Sequence, residues 1–209
     1  MALLTALFAT ALLMALGLSV VLLGTAEVTL AAHDRESRGL SYASKAAVTI
    51  AVADLHALPS WSALIAPGVP ADTSASPGRF VDAILNPAAP WGGPALDLRA
   101  LTARLQSESD AVTLLGGDAP VWRLFDYGRL DRLVPGSART SPYYLVVWVA
   151  DDRADGDGDP SVDADGIVLV RAAALGPGGG RVDTEVSVLR GPVEGPAEAF
   201  QILTIRPGH

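Results

Sequence analysis

The first 26 residues of the chain, Met1 to Ala26, contain no charged side chain. As a helix, this segment is about 39 Å long at a rise of 1.5 Å per residue. The hydrocarbon core of a bilayer is roughly 30 Å thick, so the segment is long enough to cross it. Because the segment has no polar stripe, it cannot behave as an ordinary surface helix with one face in water. It therefore predicts surroundings of lipid or of other apolar helices.

Three kinds of protein have such a segment: one with a single-span membrane anchor, one with a cleavable secretory signal, and one with a processed filament helix. A secretory signal has a positively charged region before an apolar run of 7–15 residues. Here the apolar run begins at Met1 and is longer, which disfavours a signal. Positive charges normally orient a membrane segment. Their absence favours a helix whose leader was removed just before Met1, as in prepilin processing.

The segment from Ala2 to Ala47 resembles the N-terminal part of PilX-type type IV pilus proteins. In those pilins an apolar helix passes into a Thr/Glu/Ala-rich stretch, then an Arg/Asp-rich patch and an Ala-rich tail. Here these parts are Thr25 to Thr29, Asp34 to Arg38 and Ser41 to Ala47. A looser likeness to the C-terminal half of these proteins runs from Tyr143 to Val188. The resemblance implies the pilin fold, in which a long N-terminal helix packs on an antiparallel sheet.

The resemblance also implies assembly roles for Met1, Thr5 and Glu27. Met1 is then the processed, methylated N terminus. Glu27 begins the exposed part of the helix, as a helix-surface charge or a subunit-pairing charge. Ordinary pilins have Glu at the fifth mature position, where it pairs with the N-terminal amine of a neighbouring subunit, but this chain has Thr5. An uncompensated buried charge is costly. Thr5 therefore favours a filament tip, where the Met1 amine is not buried, or a neighbour that supplies the carboxylate.

Beyond the apolar segment, the residue pattern predicts an α+β protein with one globular head. The amphipathic continuation of the helix covers residues 27–58, and Pro59 ends it. The head then covers residues 59–209. Its predicted parts are a loop-rich insert with Trp61 and Trp91 as packing residues (59–96), an amphipathic helix that Asp97 can cap (97–110), and a mainly antiparallel sheet of four or five strands (121–206).

Two strand regions have informative patterns. YYLVVWVAD, residues 143–151, is apolar at successive positions, which predicts a strand covered on both faces. Residues 166–176 and 180–191 flank Pro177, Gly178 and Gly179, which predicts a hairpin.

The loop between the strand predicted at 143–151 and the strand predicted at 166–176, DDRADGDGDPSVDADG (151–166), holds seven aspartates. Carboxylates this close repel one another, and Ca²⁺ relieves that repulsion by accepting six to eight oxygen ligands. The loop is not an EF-hand, because Pro160 and Gly166 stand where Gly and Glu are required. The alternative is a solvated acidic turn. The predicted role of the calcium is structural, and the predicted ligands are Asp155, Asp157, Asp159, Asp163 and Asp165.

Composition excludes several classes of protein. The net charge is −8 and the basic residues are scattered, which disfavours nucleic-acid binding. The chain has no cysteine, which excludes disulfides and thiolate metal sites. The three histidines are far apart in the sequence, and no catalytic motif is present, so we expect no enzymatic activity.

These features predict a structural subunit of a type IV pilus or related filament. Its partners are other pilin subunits, in a homopolymer or heteropolymer, and the inner membrane holds it before assembly. Its head then lies on the outer surface of an extracellular filament. Two alternatives remain open: a membrane-anchored extracytoplasmic binding protein that never polymerises, and the tip pseudopilin of a type II secretion system.

Overall fold

The structure of the protein is a computed structural model. It describes residues 1–58, 60–65, 85–113, 120–133, 140–152, 159, 162–190 and 200–207.

One helix, α1, runs from Ala2 to His56 without a break over 55 residues. It belongs to both of the compact units into which the chain divides, Met1–Gly39 and Leu40–His209. The first unit consists of the N-terminal part of α1 alone. The second unit contains the last turns of α1 and the rest of the described chain. The predicted continuation of the helix is therefore present, and its last helical residue lies three positions before Pro59.

The second unit is built on a five-stranded sheet. The strands follow one another in space as they do in sequence, and every neighbouring pair is antiparallel. They are β1 (Arg123–Arg129), β2 (Tyr144–Asp151), β3 (Ile167–Leu175), β4 (Arg181–Arg190) and β5 (Phe200–Pro207). The predicted α+β class, with a long N-terminal helix on a mainly antiparallel sheet, is confirmed.

Among the described residues, three further helices accompany α1: α2 (Ser62–Ile65), α3 (Leu98–Thr113) and α4 (Leu130–Leu133). Two of them are single turns that the residue pattern did not predict. The start of α3 is as predicted, because the Asp97 carboxylate accepts a hydrogen bond from the backbone N–H of Ala100 at 3.0 Å.

The sheet separates two hydrophobic cores. One core contains side chains of α1 from Leu40 onward and of α2, and the other contains side chains of α3. Strand β2 supplies both in alternation: Leu145, Val147 and Val149 point into the α1 core, and Val146 and Trp148 point into the α3 core. All eight residues of β2 are buried, which confirms the prediction of a strand covered on both faces.

Trp61 is almost completely buried in the core on the α1 side. Its indole N–H donates to the carbonyl oxygen of Leu55 at 3.1 Å, and the guanidinium of Arg190 lies 5.9 Å from the ring centroid. Trp91 is partly buried against the other core. Both tryptophans therefore pack on the head, as predicted.

The hairpin between β3 and β4 is confirmed. A short 3-10 turn over Pro177–Gly179 connects the two strands. Gly178 and Gly179 have positive φ angles of 71° and 81°, which glycine adopts without the steric penalty of a side chain. The sequence Pro-Gly-Gly therefore suits this reversal of the chain.

Candidate functional site: the apolar helix, the acidic loop and the head interior

Residues 1–26 present an apolar surface on every side of the helix. The most apolar 18-residue window of α1 has a mean hydropathy of 2.5, and none of it is buried. In length and composition α1 can therefore cross a membrane. The large exposed apolar side chains of its first 30 residues are Met1, Leu3, Leu4, Leu7, Phe8, Leu12, Leu13, Met14, Leu16, Leu18, Val20, Val21, Leu22, Leu23, Val28 and Leu30.

The side-chain hydroxyl groups within residues 1–30 are all used inside the helix. Thr5, Thr10, Ser19, Thr25 and Thr29 each donate to a backbone carbonyl three or four residues earlier, at 2.8–2.9 Å. A polar group without a partner is costly in hydrocarbon. Because these hydroxyls have partners inside the helix, they do not oppose its burial in lipid or among other helices.

The three predicted assembly residues lie on the unit Met1–Gly39. Met1, Thr5 and Glu27 are all exposed, and the Thr5 hydroxyl donates to the carbonyl oxygen of Ala2 at 2.9 Å. Glu27 is the first charged residue after the apolar run. Farther along, Asp34 and Arg38 form an exposed ion pair at 2.9 Å, of the kind that contributes little stability.

The acidic loop is described only in part. Asp155 and Asp157 lie outside the described residues, whereas Asp159, Asp163 and Asp165 are described. Asp163 and Asp165 each accept a backbone hydrogen bond, from Gly166 at 2.7 Å and from Ile167 at 2.8 Å. These contacts order the turn that leads into β3.

In the described part of the chain, no three His, Cys, Asp or Glu side chains come together as a metal-binding group. The oxygen-rich donors of the loop nevertheless fit the chemistry of a hard cation such as Ca²⁺. The calcium site thus stays a prediction, and Asp163 and Asp165 have a second role in the turn itself.

Charged residues on β3, β4 and α3 form a network inside the head, which the residue pattern did not indicate. Asp183 receives hydrogen bonds from Arg181 at 2.6 Å and from Arg171 at 3.0 and 3.2 Å. Glu185 and Glu108 also approach the Arg171 guanidinium, at 3.7 and 3.9 Å. The hydrogen-bonded carboxylate of Asp183 raises the pKa of the Arg181 guanidinium.

Burial separates this network from the surface ion pairs. The side chains of Arg171 and Asp183 are only 10% and 4% exposed. A sequence signal exists in retrospect, because Arg171 interrupts the apolar run IVLVRAAAL of a strand that is buried along most of its length. A charge in such a run requires a partner. The sequence does not indicate that the partner is Asp183, twelve residues away.

A second buried polar contact joins α1 to the sheet. The hydroxyl of Ser44 lies 2.8 Å from the Thr184 hydroxyl and donates to the carbonyl oxygen of Ala172 at 3.0 Å. Each of these partners is on β3 or β4. The contact therefore fixes the position of the last turns of α1 across the hairpin.

An apolar groove of about 570 Å³ lies between α3 and the start of β1. Polar side chains along it are engaged in the fold: Gln106 bonds to Asp110, Pro120 and Trp122, and Thr102 bonds to Leu98 and Trp148. Groups with such partners are not available to orient a ligand. The groove therefore supports no assignment of a binding site.

No protein-family model, curated protein or solved structure matches the chain. The structure defines an α+β protein that carries an exposed apolar helix long enough to cross a membrane. The likeness to PilX-type pilins remains a resemblance carried by the residues given above.

Proposed function

We propose that the chain is a structural subunit of a type IV pilus or a related filament. In this proposal α1 holds the subunit in the inner membrane before assembly. The same apolar surface later packs against equivalent helices of other pilin subunits in the filament core, and the head lies on the extracellular surface. No catalytic role is part of this proposal.

The observation that carries the proposal is the continuity of α1. The first part of this helix is uncharged, and no residue of its most apolar window is buried. The last turns of the same helix pack on an antiparallel sheet. Burying apolar surface stabilises by about 25 cal/mol per Å². A helix that leaves this much apolar surface uncovered therefore requires lipid or other helices around it.

A membrane-anchored binding protein that does not polymerise is the second candidate, because the same apolar helix serves equally as an anchor. The tip pseudopilin of a type II secretion system is the third, because Thr5 replaces the glutamate of ordinary pilins. Intact-mass measurement of the native protein separates the first two candidates. A chain that begins at a methylated Met1 supports a filament subunit, and a retained cytoplasmic segment contradicts it.

Substituting Thr5→Glu is expected to increase the amount of the chain in filaments sheared from the native cells several-fold. A glutamate there can pair with the N-terminal amine of the next subunit, so that the amine is no longer buried without a counter-charge. The measurement is the ratio of sheared to cell-associated protein on an immunoblot.

Thr10→Glu is the matched control for this substitution. The Thr10 hydroxyl makes the same type of bond as that of Thr5, to a carbonyl three residues earlier at 2.9 Å. A carboxylate at position 10 has no amine to neutralise it, so we expect less filament incorporation than in the native chain. Equal effects of the two substitutions on filament incorporation would contradict a special role for position 5. Absence of the native chain from sheared filaments would contradict the proposal that the chain is a filament subunit.

Removal of calcium is expected to lower the melting temperature of the full chain in detergent by about 5–10 °C. A site filled to a hundred times its Kd stabilises the folded state by about 2.7 kcal/mol. Each kcal/mol shifts the melting temperature of a domain of this size by roughly 2–4 °C. The measurement is calorimetry in EDTA and after addition of excess Ca²⁺.

A variant with Asp155→Asn, Asp157→Asn and Asp159→Asn is the control for this experiment. It retains Asp163 and Asp165, which order the turn, and should not respond to either EDTA or Ca²⁺. An unchanged melting temperature of the native chain in EDTA would rule out a structural calcium ion.

A further inference from the structure

We draw no further inference here: the strongest candidate, the apolar face of β5 on which Ile202 and Ile205 are exposed opposite Val188 and Val186 of β4, has nothing among the described residues to show what covers it.

Discussion

Replacing Asp183 by asparagine is expected to lower the unfolding free energy of the head by about 3–5 kcal/mol. Breaking a buried ion pair by removing one partner leaves the other charge buried without compensation. Asp183 pairs with Arg171 and Arg181, at shortest distances of 3.0 and 2.6 Å. Asparagine preserves the shape of the side chain but removes its charge. The measurement is denaturant unfolding of the full chain, followed by tryptophan fluorescence.

Glu108→Gln is the control from the same network. Its carboxylate is 40% exposed and lies 3.9 Å from Arg171 and 2.9 Å from the exposed Arg104. Exposed ion pairs contribute about 0–1 kcal/mol, so the loss of unfolding free energy in Glu108→Gln should fall in that range. Similar small losses for both variants would contradict the view that burial makes Asp183 critical.

The pH dependence of the Asp183→Asn effect follows from Arg181. Its pKa is raised in the folded state, so the stabilisation is fully present below the ordinary pKa of arginine and is lost as the pH rises through the raised value. The destabilisation should therefore be the same at pH 6 and at pH 9. If the loss of unfolding free energy in Asp183→Asn disappears at pH 9, the effect belongs to an ionisable group other than Arg181.

Placing lysines at Leu12 and Leu16 is expected to release the chain from membranes. A lysine at the centre of a spanning helix costs about 2.5–3.5 kcal/mol on insertion scales. Leu12 and Leu16 lie near the middle of the uncharged segment, one turn apart, and are exposed. We expect the native chain to remain in the membrane fraction after a carbonate wash and the double variant to move to the supernatant.

Val28→Lys with Leu30→Lys is the matched control for the membrane experiment. These residues are as exposed as Leu12 and Leu16 but lie beyond the uncharged segment, beside Glu27. The control variant should stay with the membrane. A native chain that washes off, or a Leu12/Leu16 variant that stays bound, would contradict a spanning role for α1.

Features that depend on neighbouring residues were predictable from the sequence. The Asp97 cap, the hairpin at Gly178 and Gly179, and the strand that is apolar on both faces are all present. Each depends on the conformational preference of a few adjacent side chains or on a short periodic pattern. The two turns of the acidic loop capped by Asp163 and Asp165 are equally local, although the sequence predicted only a calcium site or a solvated acidic turn there.

Contacts between distant residues were not predictable in the same way. Arg171 and Asp183 meet because the β3–β4 hairpin places Ala173 opposite Asp183, two positions from Arg171. The bond from Ser44 to Thr184 spans 140 residues of sequence. Neither arises from the preferences of nearby residues, because each requires the register of the strands and the packing of α1.

The sequence by itself determined that residues 1–26 require apolar surroundings, since a helix that is apolar on every side has no face suited to water. It also determined the antiparallel character of the head through its turns and strand patterns. Only the tertiary structure decided which side of the sheet each helix covers and which charges are buried together. It also decided that β5, rather than β1, is the edge with exposed apolar side chains. These outcomes depend on which elements become neighbours in space, and that is set by packing of the whole head.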